Sequence, residues 1–393
     1  MHPPGAETVL VRYGDLSTKS PQVRRRMEEC LVENVQALLS DRGVDGRAER
    51  YPARPRIRAP TDQVERAAAV AADAFGVVST SPALSVAPDP DAVCDALAET
   101  ARAHYDGGTF AVDARRADQS FPLTSQELGG VGGSAVWEAV EDAFEPAVDL
   151  DDPDLRFTVE VRDEEAFVFL DTVPGPGGLP LGSQRPVVAL ISGGIDSPVA
   201  AYEMLRRGSP VVPVYVDLGE YGGPDHRARA VETVRSLSAY APNFELPLRV
   251  VPGGDTVAQI ADELEQGRML AFRRFCLLVG EAVAERTGAA GIATGEAVGQ
   301  KSSQTVQNLS VTDPVTDRPV FRPLLTMDKN AITERARDIG TFDDATIPAG
   351  CDRFAPAQAE TNADFDRLRA AEPDDLRERA RAAVADCDVV DPT

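Results

Sequence analysis

The chain has 393 residues and a formal net charge of −24, with 64 acidic against 40 basic residues. That length is sufficient for two or three domains, each with its own apolar core. No apolar run reaches the roughly 18 residues that a membrane helix needs. Met1–Glu7 lacks the basic and apolar regions of a signal peptide. We therefore expect a cytoplasmic protein that makes no contact with a membrane.

Two residue types restrict the possibilities further. The five cysteines are scattered and form no C-x-x-C pair, so we predict no cysteine-based metal site and a reducing compartment. Lysine occurs only at Lys19, Lys301 and Lys329. An acidic excess with little lysine is typical of proteins from salt-loving organisms, whose charged surfaces maintain solubility. An acidic protein from a GC-rich genome is the alternative.

Basic residues are concentrated near the N-terminus. Residues 1–58 contain eleven Arg or Lys against eight Asp or Glu. A basic segment in an acidic chain is a candidate contact for a polyanion. The alternative is an ordinary solvated helix face around Arg24–Arg26.

The first 60 residues predict a small α+β unit that ends near Pro60. Thr8–Tyr13 has the pattern of a strand, and Pro21–Ser40 that of an amphipathic helix. Arg54–Arg58 predicts a short strand with an exposed basic face.

A second α+β unit follows, in which we expect the single Trp137 in the core rather than as a stacking platform. Its predicted helices are Asp62–Ala74, Pro90–Ala103 and Ser125–Phe144, the last interrupted at Gly129–Gly133, and its predicted strands lie within Val77–Val86, Phe110–Ala114, Phe157–Arg162 and Ala166–Leu170. The Pro/Gly-rich stretch Thr172–Ser183 has no periodicity and indicates a linker.

From residue 187 strands and helices alternate, which predicts a doubly wound parallel sheet. The predicted strands are Val187–Ile191, Val211–Val216, Leu246–Val251 and Ala290–Ala293, and the predicted helices begin near Pro198, Arg227, Val257 and Met269. The acidic and arginine-rich segment Asp364–Ala385 predicts a helical tail.

The turn after the first of these strands has the pattern of an anion site. Ser192-Gly-Gly-Ile-Asp-Ser197 separates an apolar strand from a helix. Free N–H groups at the helix start and the helix dipole attract an anion, and the glycines allow a phosphate to approach the backbone closely. No Walker A sequence occurs in the chain. The alternative is a glycine-rich turn without a ligand.

Five stretches in this order resemble one family, the tRNA 4-thiouridine synthetases, or ThiI family. They are Val11–Asp15, Pro174–Pro180, Ile191–Val199, Thr294–Gln304 and Arg322–Lys329. The resemblance implies a ferredoxin-like domain (residues 1–60), a THUMP RNA-binding domain (61–172), a linker (173–184), a pyrophosphatase domain of the PP-loop, adenine nucleotide alpha hydrolase-like type (185–358) and an acidic helical tail (359–393).

The family uses ATP to adenylate O4 of the uridine at position 8 of tRNA and then replaces that oxygen with sulfur. Some members also supply sulfur for the thiazole of thiamine. The resemblance therefore implies ATP and Mg²⁺, tRNA, a persulfide or sulfide donor such as a cysteine desulfurase, and a homodimer. This chain has no rhodanese segment and no C-x-x-C, so the sulfur donor stays open.

The resemblance also assigns residues. Catalytic roles fall on Asp196, on Lys329 and on the sulfur-handling Cys351, with Lys301 and Cys276 as weaker candidates. The expected ATP contacts are Leu190, Ile191, Ser192, Gly193, Gly194, Asp196, Ser197, Tyr215, Val216, Arg273, Gly295 and Gln304. From the local basic charge, the candidate RNA contacts are Lys19, Arg24, Arg25, Arg26, Arg54, Arg56 and Arg58. Two alternatives remain: another PP-loop enzyme that adenylates tRNA, and a non-catalytic THUMP RNA-binding protein.

Overall fold

A computed structural model of the protein describes residues 1–51, 54–117, 120–162, 164–222, 224–342, 354 and 360–392. The chain divides into two compact units, Met1–Pro180 and Leu181–Thr393. None of the helices in the described residues is both long and apolar enough to cross a membrane.

The first unit is an α+β structure around one mixed sheet. Its helices are α1 (Pro21–Asp41), α2 (Val64–Ala72), α3 (Pro90–His104) and α4 (Ser125–Val140), and its strands are β1 (Thr8–Tyr13), β2 (Arg47–Glu49), β3 (Arg56–Arg58), β4 (Val77–Val86), β5 (Thr109–Arg116), β6 (Ala147–Val148), β7 (Leu155–Val161), β8 (Ala166–Phe169) and β9 (Val173–Pro174). Among the described residues the strand order is β2-β3-β1-β4-β8-β7-β5-β6, with β9 beside β4.

The boundary expected near Pro60 falls inside a single apolar core. Leu31 and Leu38 of α1 pack in the same cluster as Val64 and Ala67 of α2. Strand β1 pairs over its whole length with β4, from Thr8 opposite Ala83 to Tyr13 opposite Val77. The sequence pattern predicted each helix and strand on its own and gave no sign of which of them pack together. The packing shows that the elements before and after Pro60 share one core.

Two predictions for α4 are wrong. The helix runs through its glycines without interruption, because Thr124 and Glu127 form a capping box at its start and the glycine side packs closely against neighbouring elements. Trp137 is 39% exposed instead of lying in the core. The apolar side of the helix is formed by Leu128, Val136 and Val140, so Trp137 faces outward.

The stretch expected to be a linker is partly a strand. Val173 pairs with Thr80, and the N–H of Gly175 donates to the carbonyl of Val78 over 2.8 Å. Leu179 is buried beside Leu16 and Met27. Residues 173–180 are therefore attached to the first unit, and the division between the units follows Pro180.

The second unit confirms the predicted parallel sheet. Its strands are β10 (Val187–Ile191), β11 (Val211–Asp217), β12 (Leu248–Pro252), β13 (Ile292–Ala293), β14 (Val320–Phe321) and β15 (Asp388–Val390), and its helices are α5 (Asp196–Arg206), α6 (Pro224–Ser238), α7 (Gly254–Glu263), α8 (Arg268–Thr287), α9 (Val306–Thr312), α10 (Lys329–Asp338), α11 (Phe365–Ala371) and α12 (Leu376–Ala385). The described strand order is β14-β13-β10-β11-β12-β15. Every neighbouring pair is parallel except β12 with β15.

The C-terminal segment is not a separate tail. Leu376, Ala380 and Val384 of α12 are buried in the main core of the second unit. Strand β15 then pairs with β12 at the edge of the sheet. The many charges of this segment had suggested a solvated helix, but its small apolar side is sufficient to dock it.

Candidate ATP site

The strand order places a ligand site between β10 and β13. From β10 the chain continues to β11 and β12 on one side, and it later returns to β13 and β14 on the other. In open parallel sheets ligands bind beyond the carboxyl ends of the strands where the order reverses in this way. The loops that follow β10 and β13, residues 192–195 and 294–305, both begin at this point.

The loop after β10, residues 192–195, is called the phosphate loop below because the sequence predicts an anion site there. Ser197 holds it in shape. Its hydroxyl accepts a hydrogen bond from the N–H of Ser192 over 2.8 Å and lies 3.2 Å from the carbonyl of the same residue. The hydroxyl of Ser192 in turn accepts from the N–H of Gly194 over 3.3 Å. Helix α5 begins directly afterwards at Asp196, so the start of a helix and the glycine N–H groups lie together, as an anion site requires.

The loop after β13 packs on the start of α5. A Cβ added to Gly295 would lie 2.7 Å from the backbone N of Ser197 and 2.8 Å from the backbone C of Asp196. Only a glycine permits this approach without movement of the backbone. The predicted site residues Gly295, Asp196 and Ser197 therefore belong to one location.

Lys329 and Asp196 form an ion pair. The Nζ atom of Lys329, at the start of α10, lies 2.6 Å from Oδ1 of Asp196. The lysine side chain is 49% exposed and the aspartate 29%. Two predicted catalytic residues that are 133 positions apart in sequence thus meet at the phosphate loop.

Arg273 is fixed by several partners. Its Nη1 pairs with Glu296 and its Nε donates to Ser303 Oγ over 3.3 Å. The side-chain amide of Gln304 is satisfied in one orientation. In that orientation its oxygen accepts from Arg273 Nη2 over 3.0 Å, and its nitrogen donates to the Ala297 carbonyl over 2.8 Å. The predicted ATP contacts Arg273 and Gln304 are therefore neighbours.

Glu296 links this group to a second arginine. Arg322 Nε donates to Glu296 over 2.8 Å, and Thr294 Oγ1 donates to it over 3.0 Å. Burial raises the pKa of Glu296, but Arg273 and Arg322 outweigh that effect, so the pKa lies below its ordinary value. Glu296 is therefore a buried carboxylate that stays ionised.

The residues expected around the adenosine lie on adjacent strand ends. Leu190 is opposite Val214, and Ile191 opposite Tyr215. Tyr215 is buried and, among the described residues, its hydroxyl has no hydrogen-bond partner. Burial, with a smaller contribution from Asp217, raises the pKa of Tyr215 to about 12, so the phenol is neutral. Val216 continues the same strand and is also buried.

Sequence reasoning missed Arg229 and His226, which lie against the phosphate loop from α6. Arg229 Nη1 donates to the carbonyl of Gly193 over 3.1 Å. A Cβ at Gly193 would lie 3.3 Å from Cδ2 of His226. Both side chains are more than 90% buried. Their positions in a charged helix gave no signal, because the contact with the loop arises only in the folded chain. Glu296 lies within the matched stretch Thr294–Gln304, but the sequence analysis assigned it no role.

The cysteines give a limited result. Cys351 lies outside the described residues. Cys276 is partly buried on α8 against the core of the second unit. Burial raises the pKa of Cys30 and of Cys94, so both remain thiols at neutral pH.

The candidate RNA contacts differ in exposure. Lys19 and Arg24–Arg26 are exposed. Arg25 pairs with the exposed Glu29, and Arg24 lies 3.8 Å from the buried Glu28. The expected exposed basic face of Arg54–Arg58 is wrong for Arg56, which is 7% exposed. It pairs with Glu49 and Glu165 and lies 3.7 Å from the ring centroid of Tyr51. Arg58 is exposed, whereas Arg54 is partly buried.

Comparisons with known proteins extend these observations. The family model described as Thiamine biosynthesis protein (ThiI) matches residues 182–374, the THUMP domain matches 87–171, and the ThiI ferredoxin-like domain matches 8–81. A probable tRNA sulfurtransferase of Halobacterium salinarum is 60% identical over 98% of both chains. A protein of the same description from Methanosarcina acetivorans is 37% identical over 92% of this chain and 87% of its own.

Solved structures are also similar. A 4-thiouridine synthetase in complex with RNA and with bound ATP matches with a TM-score of 0.82 and 28% identity, over 98% of this chain and 99% of that chain. The protein PH1313 from Pyrococcus horikoshii shares the fold, with a TM-score of 0.66 and 23% identity, over 85% of this chain and 99% of its own. A relative that is 60% identical along nearly the whole length leaves no ambiguity about ancestry, and the chain belongs to the ThiI family of tRNA sulfurtransferases.

Proposed function

We propose that the protein is an ATP-dependent tRNA sulfurtransferase, which adenylates O4 of the uridine at position 8 of tRNA and replaces that oxygen with sulfur to give 4-thiouridine. The observation that carries the proposal is the phosphate loop at the reversal point of the sheet, with Asp196 and Lys329 paired beside it. The proposal is supported by a relative described as a probable tRNA sulfurtransferase and by the similar structure of a 4-thiouridine synthetase with RNA and ATP.

The reaction needs activation because a carbonyl oxygen is a poor leaving group. Uracil O4 attacks the α-phosphorus of ATP, and pyrophosphate leaves. A sulfur nucleophile then attacks C4, and AMP departs with the former O4. The protein contributes mainly position and charge: the N–H groups of residues 193–197 hold phosphate oxygens, and Lys329 balances charge on the departing pyrophosphate.

Mg²⁺ fits as an ion carried by the nucleotide. The described residues contain no group of three or more potential metal ligands that could hold one. The carboxylate of Asp196 lies at the phosphate loop, and Mg²⁺ in such sites takes one or two carboxylates and the phosphates. Bound there, the ion would neutralise phosphate charge. Asp196 would then exchange its contact with Lys329 for one with the ion.

The remaining parts of the proposal rest on the resemblance. Residues 1–172 supply the ferredoxin-like and THUMP domains and bind tRNA, and residues 185–358 carry the chemistry. In the cytoplasm, Cys351 takes the outer sulfur of a persulfide donor by thiol exchange, which leaves the donor as a thiol, or it assists the direct attack of free sulfide on C4. The active form is a homodimer, and the same sulfur transfer also serves thiamine synthesis.

Measuring tRNA-dependent release of AMP and pyrophosphate, together with mass spectrometry of tRNA nucleosides, tests the proposal. Wild type should form 4-thiouridine, and Asp196→Ala should lose adenylation while remaining folded, since Asp196 lies at a helix start outside the core. Asp366→Ala, at an exposed aspartate, is the matched control and should keep activity. Another modified nucleoside would indicate a different PP-loop enzyme, and tRNA binding without AMP release would indicate a non-catalytic protein.

The sulfur step is tested separately with Cys351→Ser. This variant should retain adenylation but lose 4-thiouridine formation with a persulfide donor. Rescue by excess sulfide would identify Cys351 as a carrier of sulfur. Full activity with both donors would remove Cys351 from the mechanism and favour Cys276.

A further inference from the structure

Three arginines converge on one carboxylate in the first unit. Arg54 contacts both oxygens of Glu160: Nη1 donates a hydrogen bond over 3.1 Å, and Nη2 forms an ion pair over 3.0 Å. Arg12 Nη2 reaches the same carboxylate at 3.4 Å, and Arg162 Nη2 pairs with its other oxygen. We call Arg12, Arg54, Arg162 and Glu160 the arginine cluster.

The arginine cluster carries more positive charge than its own carboxylate neutralises. Burial raises the pKa of Glu160, but the three arginines outweigh it and hold the pKa below its ordinary value, so Glu160 is ionised. Burial, together with Arg162 and Arg12, lowers the pKa of Arg54 to about 10, despite the opposing effect of Glu160. Arg54 is still protonated at neutral pH. Three cations around one anion leave an excess of positive charge, in a chain whose total charge is −24.

The arginine cluster has more hydrogen-bond donors than Glu160 can accept, and its side chains are held in place. Three guanidinium groups present roughly fifteen N–H donors, whereas a carboxylate has about four lone-pair sites. Arg12 is further held by a 2.9 Å hydrogen bond to Ser81 and by the ring of Phe169, 4.8 Å from its centre. The three arginine side chains are 18–22% exposed. They are therefore accessible to a ligand yet lose little freedom when they bind one.

A purely structural ion pair does not require this composition. One arginine satisfies a carboxylate, and each further one adds repulsion, which contributes to the lowered pKa of Arg54. An additional anion would relieve that repulsion. Arginine forks match the oxygens of a phosphate, and partial burial strengthens the attraction.

We propose that the arginine cluster binds a phosphodiester group of the tRNA backbone. This inference rests on the proposed function and names a contact for its RNA substrate. Arg12 and Arg54 lie in the segment that matches the ferredoxin-like domain, and Glu160 and Arg162 in the segment that matches the THUMP domain. The site thus joins the two matched domains within one unit, separate from the phosphate loop of the second unit.

The test compares tRNA affinity of the full chain at several KCl concentrations. Arg54→Gln and Arg162→Gln should each weaken binding and reduce the slope of log K against log salt by roughly 0.7–0.9. Glu160→Gln should strengthen binding, because it removes the competing anion. Arg156→Gln is the control, since Arg156 lies on β7 of the same sheet and pairs with Asp113. It should behave as wild type.

The opposite signs distinguish binding from structure. If the cluster is only structural, the arginine variants and Glu160→Gln should all lower thermal stability and leave the salt slope unchanged, and that result overturns the inference. Where Arg54→Gln does not fold, Arg54→Lys keeps the charge and should keep the slope. Inorganic phosphate should compete only weakly; full competition at low millimolar phosphate would mean a free-phosphate site and would contradict a tRNA contact. If the wild type forms 4-thiouridine and all variants bind tRNA equally well, only the proposed tRNA contact of the arginine cluster is refuted. If the wild type does not bind tRNA, the proposed function itself is refuted.

Discussion

Glu296 determines how the side of the ATP site formed by residues 294–304 is arranged. It accepts hydrogen bonds or ion pairs from Arg273, Arg322 and Thr294, and it is 6% exposed. Arg273 thereby keeps the orientation in which it also reaches Ser303 and Gln304. Glu296 acts through the arginines that it holds, so we regard it as a positioning residue.

Replacing Glu296 by glutamine should therefore impair ATP use more than tRNA binding. A neutral amide leaves Arg273 without its buried counter-charge, and we expect the KM for ATP to rise about tenfold, equal to about 1.4 kcal/mol. Steady-state kinetics with ATP varied at saturating tRNA would measure it. Glu49→Gln is a matched control, since Glu49 also lies between two arginines but in the first unit. An equal rise in both variants would contradict the assignment.

The same residue predicts a pH dependence of stability. The folded pKa of Glu296 lies below its unfolded value of about 4.3, so its stabilising effect is complete above that value and is lost as the pH falls through the folded pKa. The difference in unfolding free energy between wild type and Glu296→Gln should therefore be constant from about pH 5 to 8 and shrink below about pH 4.3. Denaturant unfolding at several pH values measures it, and a difference that grows on acidification would be inconsistent with an ionised Glu296.

At the candidate ATP site, sequence analysis predicted the residues that follow one another along the chain. Ser192–Ser197 could be predicted because strand, turn and helix start follow one another along the chain. The family pattern assigned roles to Asp196 and Lys329 but did not predict that they form an ion pair, and nothing in the sequence indicated the Arg229–Gly193 contact. Residues that act through another side chain have no spacing rule, because the fold alone brings them together.

At the scale of elements, α4 shows how packing overrides local preference. Four glycines within five residues, Gly129–Gly133, predicted an interruption, yet the helix is continuous. A Cβ at Gly132 would lie 2.7 Å from Cδ1 of Leu97 and 3.3 Å from Cγ1 of Val112. At Gly130 and Gly133 nothing lies within 4 Å. Gly132 therefore keeps the helix close to α3 and β5, and a Cβ at Gly129 would lie 3.2 Å from the carbonyl oxygen of Val112, whereas Gly130 and Gly133 are not required for packing.

This difference gives a paired prediction. Gly132→Ala should destabilise the first unit by about 1–3 kcal/mol, because the buried Leu97 must move. Gly130→Ala and Gly133→Ala should stabilise it by about 0.5–1 kcal/mol, because alanine restricts the unfolded chain and the native site is open. Denaturant unfolding of the three variants would show the ranking. Equal effects at all three positions would mean that α4 does not pack as described.

Several of the shortest strands were the elements that sequence analysis could not supply. Val173–Pro174 and Asp388–Val390 are two and three residues long, and each joins a sheet formed by other parts of the chain. Such short segments show no periodicity. Long elements such as Pro21–Asp41 and Val187–Ile191 were predicted because burial on one or both sides leaves a visible pattern.

At the scale of the whole molecule, the acidic net charge and the local basic groups have opposite effects on the binding of a polyanion. A net charge of −24 repels a polyanion at long range, while the arginine cluster and the exposed Arg24–Arg26 attract it locally. Salt screens both effects, with a Debye length of about 10 Å at 0.1 M and about 3 Å at 1 M. In concentrated salt, therefore, only contacts with close geometry contribute, which favours partly buried arginines over exposed ones.

The same charge predicts that the protein requires salt for stability. Self-repulsion among acidic side chains destabilises the compact state, so the thermal midpoint should rise between about 0.1 and 1 M KCl as the Debye length shortens. Replacing the exposed Glu141, Asp142 and Glu145 near the end of α4 by Gln, Asn and Gln should raise the midpoint in low salt and reduce its dependence on KCl. Lys19→Gln removes a positive charge at an exposed site and makes the net charge more negative. It should increase the dependence of the thermal midpoint on KCl. Differential scanning calorimetry over a KCl series measures all three proteins, and identical salt responses would attribute the stabilisation to a general salt effect on burial instead of charge screening.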